Sequence, residues 1–244
     1  GVSGNNVAGK KASITVSGTA SVNTIISGNA SGGVLGADVT VSVRGGEVIF
    51  LVGGSQGFND TDSPYEGKTT IEISGGTVSN IYGAGSGRGV SVPYFKGTLD
   101  INVTDGNVTN IYGSGSAAYI KSDDTTRSKV NITATGGTIG NIYAAGLGGD
   151  SQVGSYTPAY GGETQTLTPD TAADCGSLTG DATITIGGTA NIIGSIYASG
   201  KGYDTRSYAS KNAYLNGNVT IRMTGGTVAN HIYGGGAGST KTGF

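Results

Sequence analysis

The amino-acid sequence predicts an all-β, single-domain parallel β-helix, a solenoid of about seven rungs with long loops on one flank. Three observations predict this fold: the composition, a repeated phrase, and an alternation of apolar and polar residues before each copy of the phrase. Glycine occupies 48 of the 244 positions, and Ile and Val together number 39 against 7 Leu. Side chains branched at Cβ fit a pleated strand better than a helix. The composition therefore favours strands over helices.

The repeated phrase reads Gly-Gly-Thr-Val-x-Asn-Ile-Tyr in its fullest form. Five segments carry it, at 75–82, 105–112, 136–143, 187–197 and 225–233, and weaker copies precede them at 18–26 and 45–52. The equivalent last residues of the seven copies are Ile26, Val52, Tyr82, Tyr112, Tyr143, Tyr197 and Tyr233. Internal repeats of 20–50 residues indicate a repeat architecture. We therefore treat 1–244 as one domain with a repeat core at about 12–238 and a large insertion at 144–180.

A strand is predicted immediately before each Gly-Gly pair, because apolar residues alternate there with Thr, Ser, Asn and a few charged residues. In the third repeat, for example, Ile71 and Ile73 alternate with polar neighbours. A period of two indicates a strand with one buried face. Glycine suits the turn that follows, since it accepts a positive φ.

The second strand of each repeat lies after the turn and ends in two consecutive apolar residues, such as Ile81 and Tyr82. Consecutive residues of a strand point to opposite faces, so both faces must be covered. We expect the Ile side chains in the core and the tyrosines in a stacked row outside it. We also expect the asparagines before them to form an amide ladder. The predicted structural ladder comprises Asn80, Asn110, Asn141, Asn230, Tyr82, Tyr112, Tyr143, Tyr197 and Tyr233.

The repeats must stack, since a unit of about 30 residues cannot bury its own apolar stripe. Stacking in one direction, with each strand paired to its counterpart in the next repeat, makes a parallel solenoid. A β-propeller is the competing architecture, but its blades need four strands in about 40–45 residues. The repeats here show two well-marked strands and one variable loop.

The variable loops are the predicted location of function. They span 53–68, 83–97, 113–127, 144–180 and 198–217, and stacking places them on one flank. Two of them combine tyrosines, which offer a flat apolar face and a polar rim, with charged residues that bind hydroxyl groups. This combination suits a glycan. The predicted carbohydrate-binding residues are Tyr156, Tyr160, Tyr203, Asp204, Arg206 and Tyr208.

Charge and composition exclude several other partners. The net charge is -2 and the 14 basic residues are scattered, which argues against nucleic-acid binding. The longest apolar run, 48–52, is far too short for membrane insertion as a helix. No signal peptide is recognisable in residues 1–10.

Chemistry has little support in the sequence, and no catalytic residue is assigned. His231 has no recognisable nucleophilic or acidic partner, and Cys175 is the only cysteine. Two pairs of nearby carboxylates are candidates for metal ligation, with calcium as the ion that hard oxygen ligands suit. They are Asp60, Asp62, Asp123 and Asp124. Apart from calcium, no cofactor is expected.

The phrase Gly-Gly-Thr-Val-x-Asn-Ile-Tyr-Gly-x-Gly, clearest at 75–85 and 225–236, resembles the repeats of adhesin-like cell-surface proteins of bacteria. Those proteins are right-handed parallel β-helices of the pectate-lyase-like superfold. The resemblance implies a secreted or cell-surface location, further domains in a longer chain, and a non-enzymatic role in contacting glycans or cell surfaces. The alternative is a polysaccharide-active enzyme, a lyase or hydrolase, on the same scaffold. Ice binding is a third possibility, but Glu72, Asp100 and Arg222 interrupt the flat threonine face that it requires.

Overall fold

The computed structural model describes residues 9–29, 36–56, 65–87, 94–116, 118–120, 128–148, 155–156, 165–166, 176–202 and 213–238. The regular secondary structure in these ranges is entirely β. The strands are β1 Lys11–Val16, β2 Ser21–Ile26, β3 Asp38–Val52, β4 Ser55–Gln56, β5 Lys68–Tyr82, β6 Gly85–Ser86, β7 Tyr94–Phe95, β8 Thr98–Tyr112, β9 Tyr119–Ile120, β10 Lys129–Ala134, β11 Thr138–Tyr143, β12 Ser155–Tyr156, β13 Gln165–Thr166, β14 Leu178–Thr179, β15 Asp181–Ile186, β16 Asn191–Ile192, β17 Ile196–Tyr197, β18 Leu215–Asn216, β19 Val219–Met223, β20 Thr227–Val228 and β21 Ile232–Tyr233. The chain is therefore all-β within the described residues, as the sequence predicts.

A 13-stranded parallel sheet dominates the structure. Its central path runs β1-β3-β5-β8-β10-β15-β19, which takes one strand from each repeat in chain order. The second strands of the repeats pair in the same way on the far side of the turn, so that Val52 pairs with Tyr82 and Tyr82 with Tyr112. Residues that the repeat alignment makes equivalent thus lie side by side.

The Gly-Gly turn connects the two strands of a repeat. Its second glycine has a positive φ in six repeats, and at Gly76 the angle is +75°. A Cβ built on Gly76 would lie 2.6 Å from the carbonyl oxygen of Gly46, the corresponding glycine one repeat earlier. Glycine is needed here for two reasons: the backbone angle is unfavourable for other residues, and the neighbouring repeat approaches too closely for a side chain.

The core follows the predicted inward positions. Val41, Ile71, Ile101, Ile132 and Ile184 pair in register from repeat to repeat and are completely buried. Burying an aliphatic side chain of this size contributes about 1.5–3 kcal/mol. Their counterparts in the outermost described strands, Ile14 and Ile221, are only partly buried because each has a neighbouring repeat on one side alone.

Part of each predicted loop belongs to the core, which the sequence analysis missed. A second parallel sheet, in the order β18-β14-β9-β7, forms a further wall, and Tyr65 extends it by a bridge to Phe95. Tyr65 and Phe95 are completely buried, with ring centroids 4.9 Å apart. The Tyr65 hydroxyl donates to the carbonyl oxygens of Ala37 and Lys68, at 2.9 and 3.0 Å. These rings fill the core instead of presenting themselves to a ligand.

A pattern in the sequence could have revealed this wall. An apolar residue stands two positions before a glycine at the end of four of the five loops. These residue pairs are Tyr65 and Gly67, Phe95 and Gly97, Leu178 and Gly180, and Leu215 and Gly217. Two-residue strands are too short to show a period of two, so the hydrophobic pattern alone does not reveal them.

Candidate functional site

A row of aromatic rings runs along the outside of the second strands. Successive centroids from Tyr82 through Tyr112, Tyr143 and Tyr197 to Tyr233 are 5.4, 4.9, 4.7 and 4.9 Å apart. The neighbouring ring planes differ by at most 21°. This spacing matches the separation of adjacent strands, about 4.7–4.9 Å, so the register of the sheet sets the stacking.

The middle of this row is closed to ligands. Tyr112 and Tyr143 are only 3% and 4% exposed, whereas Tyr233 at one end is 41% exposed. Burial raises the pKa of Tyr143 to about 12, and burial, with the Tyr143 and Tyr82 hydroxyls beside it, raises the pKa of Tyr112 further. Burial also raises the pKa of Tyr82, against a hydrogen bond with Ser116. Tyr112 and Tyr143 therefore offer no ring face to a ligand.

Phe50 forms the other end of the row. In the first two repeats Ile26 and Val52 stand where later repeats have tyrosine, so no ring precedes Tyr82 at that position. Phe50 pairs with Asn80 in the strand register, yet its ring stacks on Tyr82 with centroids 6.3 Å apart and planes 12° apart. Phe50 therefore covers the face of Tyr82 from a neighbouring strand position, and it remains 36% exposed itself.

A groove of about 460 Å³ lies beside this end of the row. Its apolar lining is formed by Ile26, Val52 and the two rings of Phe50 and Tyr82. The other described residues that line it are small or polar and carry no charge: Asn23, Thr24, Gln56, Ser86, Gly87 and Ser116. This volume falls within the range of small-molecule sites, about 300–1,000 Å³.

The groove lies where the loops begin. Gln56 and Ser86 end the short parallel strands β4 and β6, which follow the aromatic position in their repeats. Isolated bridges extend this line from repeat to repeat, through Ser86, Ser116, Leu147, Lys201 and Ala237. The starting points of the variable loops are thus aligned along one flank of the sheet, next to the aromatic row.

The asparagines form a chain of hydrogen bonds over three repeats. The amide of Asn110 donates to Asn80 Oδ1 at 3.1 Å, and that of Asn141 donates to Asn110 Oδ1 at 3.3 Å. In the next repeat the backbone N–H of Ser195 takes this role and donates to Asn141 Oδ1 at 3.0 Å. Asn230 is exposed, and its backbone N–H donates to the carbonyl oxygen of Gly194 at 3.1 Å.

A network of charged and polar groups lies on the outward face of the first strands. Lys68 Nζ is 2.7 Å from Asp100 Oδ2, and Asn131 donates from Nδ2 to Asp100 Oδ1 at 2.8 Å. The hydrogen bond and charge of Asp100 raise the pKa of Lys68. Ser42 donates to Glu72 Oε2 at 2.8 Å in the neighbouring position. These groups satisfy one another across adjacent strands, in keeping with a structural role.

Most predicted ligand-binding residues lie outside the described residues. The backbone of Tyr156 belongs to the antiparallel pair of β12 and β13, but its side chain is not among those described. The other residues outside the described ranges are Tyr160, Tyr203, Asp204, Arg206 and Tyr208, together with the metal candidates Asp60, Asp62, Asp123 and Asp124. His231 is exposed, with its ring centroid 5.4 Å from that of Tyr233.

The groove is not visible in the repeated phrase, because its lining comes from four repeats and includes Phe50, which departs from that phrase. That departure is itself the signal that could have found it: Phe50 and Val52 stand where the next repeat has Asn80 and Tyr82. A position at which a repeat breaks its own pattern is a natural place to look for function.

The structure adds two further observations on the described residues. No group of three or more His, Cys, Asp or Glu side chains among them is arranged to hold a metal ion. A search of the same residues for a helix long and apolar enough to cross a membrane found none. Comparisons of the chain with protein-family models, curated proteins and solved structures gave no match.

Proposed function

We propose that the chain is a right-handed parallel β-solenoid from an adhesin-like surface protein, and that it contacts glycans without chemical turnover through the flank on which its loops begin. The observation that carries this proposal is the alignment of the loop starting points beside the aromatic row, from Ser86 through Ser116, Leu147 and Lys201 to Ala237. Loops that emerge in line from a rigid sheet form a continuous surface, and function on repeat proteins tends to lie on such a surface.

The solenoid rests on the path of the chain through each repeat. A repeat passes along the first strand, the Gly-Gly turn and the second strand, then along the bridge line that contains Ser86, and returns through the wall that contains Phe95. In the two strands, the bridge line and the wall, the backbone pairs in parallel with its counterpart one repeat away. Parallel pairing of successive repeats in chain order is what winding in one direction produces.

Glycan contact is supported by the chemistry of this flank. Sugars present both apolar C–H faces and hydroxyl groups, so they are bound by aromatic rings with neutral polar side chains nearby. Phe50 supplies an exposed ring, and Asn23 and Gln56 supply amides beside it. The loop residues that the sequence predicts as sugar contacts, Tyr203 and Asp204 among them, lie outside the described residues.

A glycan array tests the proposal with two proteins: the unmodified chain, and a variant in which 203–212 is replaced by a Gly-Ser linker of equal length. We expect the unmodified chain to bind a defined subset of glycans, and the variant to lose part of that signal, with a cooperative melting transition as the check that the variant is folded. Absence of binding to every glycan would overturn the proposal. Polysaccharide cleavage, assayed as reducing ends or unsaturated products, would replace it with the enzymatic alternative.

A further inference from the structure

We infer that the groove beside Phe50 is a binding site for a neutral saccharide, with a sugar ring stacked on the exposed part of Phe50. The inference rests on the proposed glycan-binding function and assigns a specific location and ligand class within it. The site is distinct from the loop residues that the sequence singles out.

The aromatic row is interrupted at Phe50. One face of the Phe50 ring lies towards Tyr82, and the strand register pairs Phe50 with Thr24 in the first repeat. Thr24 carries no ring, so the stacking that continues through the other repeats stops at Phe50. The exposed ring at the end of a stacked row is a surface onto which one further flat, apolar ring can pack.

The groove lies beside the Phe50 ring, where the first two repeats lack a tyrosine. Ile26 and Val52 are much smaller than the tyrosine that occupies their position in five later repeats; both border the groove, where Val52 is only 1% exposed. The groove therefore occupies the region where the tyrosine row would otherwise continue. The groove exists because the first two repeats carry Ile26 and Val52 in place of the tyrosine of the repeated phrase.

The polar lining of the groove suits an uncharged ligand with hydroxyl groups. Asn23, Gln56 and Ser86 bring amide and hydroxyl groups, which both donate and accept hydrogen bonds, to the edge of the groove, beside the Ser116 hydroxyl that is hydrogen-bonded to Tyr82. The described lining contains no charged residue that would favour an anion such as a uronate, sulfate or phosphate. A saccharide with hydroxyl groups around an apolar face, and no net charge, fits both parts of this lining.

The decisive variant restores the consensus of the other repeats. Phe50→Asn combined with Val52→Tyr gives the second repeat the same residues as Asn80 and Tyr82 in the third. The new tyrosine would extend the stacked row into the groove, and the new asparagine would extend the amide chain. Because Val52 is only 1% exposed, the new tyrosine needs the space that the Phe50 ring vacates. We expect the double variant to fold and to bind neutral disaccharides at least tenfold more weakly.

Two single variants complete the design. Phe50→Leu keeps apolar bulk but removes the ring, so it should also weaken binding at least tenfold. This single variant still tests the role of the ring if the double variant does not fold. Ile49→Ala is the matched control, because Ile49 is the neighbouring residue of the same strand, is exposed to the same degree at 37%, and is not part of the groove lining. It should bind as the unmodified protein does.

The measurement is saturation-transfer NMR with cellobiose, maltose, lactose and chitobiose, with digalacturonic acid as the charged comparison and adenosine as a planar aromatic comparison. Neutral-disaccharide binding that both Phe50 variants weaken, and that Ile49→Ala leaves intact, supports the assignment. Unchanged binding by Phe50→Leu and the double variant overturns the groove assignment but leaves the proposed function standing. A preference for digalacturonic acid or adenosine also overturns the groove assignment. If the protein binds no sugar, neither in this panel nor on the glycan array, both proposals are overturned.

Discussion

The side-chain amide of Asn110 donates a hydrogen bond to Oδ1 of Asn80, 3.1 Å away in the preceding repeat. Asn110 Oδ1 in turn accepts from the amide of Asn141, so Asn110 is the central member of a chain in which every amide points in the same direction. Aligned hydrogen bonds polarise one another, which strengthens the chain. The backbone N–H of Ser195 donates to Asn141 and continues this direction into the next repeat.

Replacing Asn110 with alanine should therefore lower the free energy of unfolding by about 1–3 kcal/mol. The change removes one donor and one acceptor. Asn80 Oδ1 loses the donor that Asn110 supplies, and the Asn141 amide loses its acceptor, while both residues are partly buried. Urea denaturation of the two proteins measures the difference. Asn107→Ala is the matched control, because Asn107 lies in the same strand, β8, and is exposed. An equal loss of stability in both variants would show that the amide chain contributes nothing specific.

The turn glycines give a graded prediction. Gly76→Ala combines an unfavourable φ of +75° with a Cβ only 2.6 Å from the Gly46 carbonyl oxygen, so it should destabilise by more than the 1–3 kcal/mol of backbone strain alone. Gly18→Ala imposes a φ of +64° with no atom within 4 Å, and should cost only the strain. Gly234→Ala has neither constraint and should be close to neutral. Thermal unfolding of the three variants should follow this order, and a Gly76→Ala protein as stable as Gly234→Ala would contradict the turn geometry.

Truncation of Phe95 should destabilise the protein more than truncation of Phe50. Phe95 is completely buried against Tyr65, so Phe95→Ala should lower the free energy of unfolding by about 3–5 kcal/mol through lost burial and a cavity. Phe50 is 36% exposed, and Phe50→Ala should cost clearly less. Denaturant unfolding provides the comparison. Equal losses at the two positions would mean that Phe95 is not part of the core.

The sequence predicts the all-β class, the parallel pairing and the inward positions, because each of these repeats itself in every unit. Ile71, Ile101 and Ile132 recur at equivalent places, and a one-residue shift of register would expose all of them. The wall containing Tyr65 and Phe95 was missed because its strands are only two residues long or single bridges. The groove was missed for the opposite reason: Phe50 and Val52 are exceptions to the repeat, and an alignment that looks for shared residues passes over them.

The buried tyrosines predict a loss of stability in alkaline solution. Burial raises the pKa of Tyr143 to about 12, while an unfolded tyrosine titrates near 10. The neutral hydroxyl is thus favoured in the folded state, and this contribution is fully present below pH 10. Above pH 10 the unfolded chain ionises first, so the contribution is lost progressively up to about pH 12, and for Tyr143 it amounts to roughly 3 kcal/mol.

Urea denaturation at intervals between pH 9 and 12 should therefore show falling stability, and Tyr143→Phe should reduce the slope because phenylalanine has no hydroxyl to ionise. Tyr65, whose pKa burial also raises to about 12, remains in that variant, so part of the slope should persist. Tyr233→Phe, which changes a ring that is 41% exposed, is the control for the loss of a hydroxyl at the surface. A slope that Tyr143→Phe leaves unchanged would mean that this hydroxyl is open to solvent and that the aromatic row is not closed at its centre.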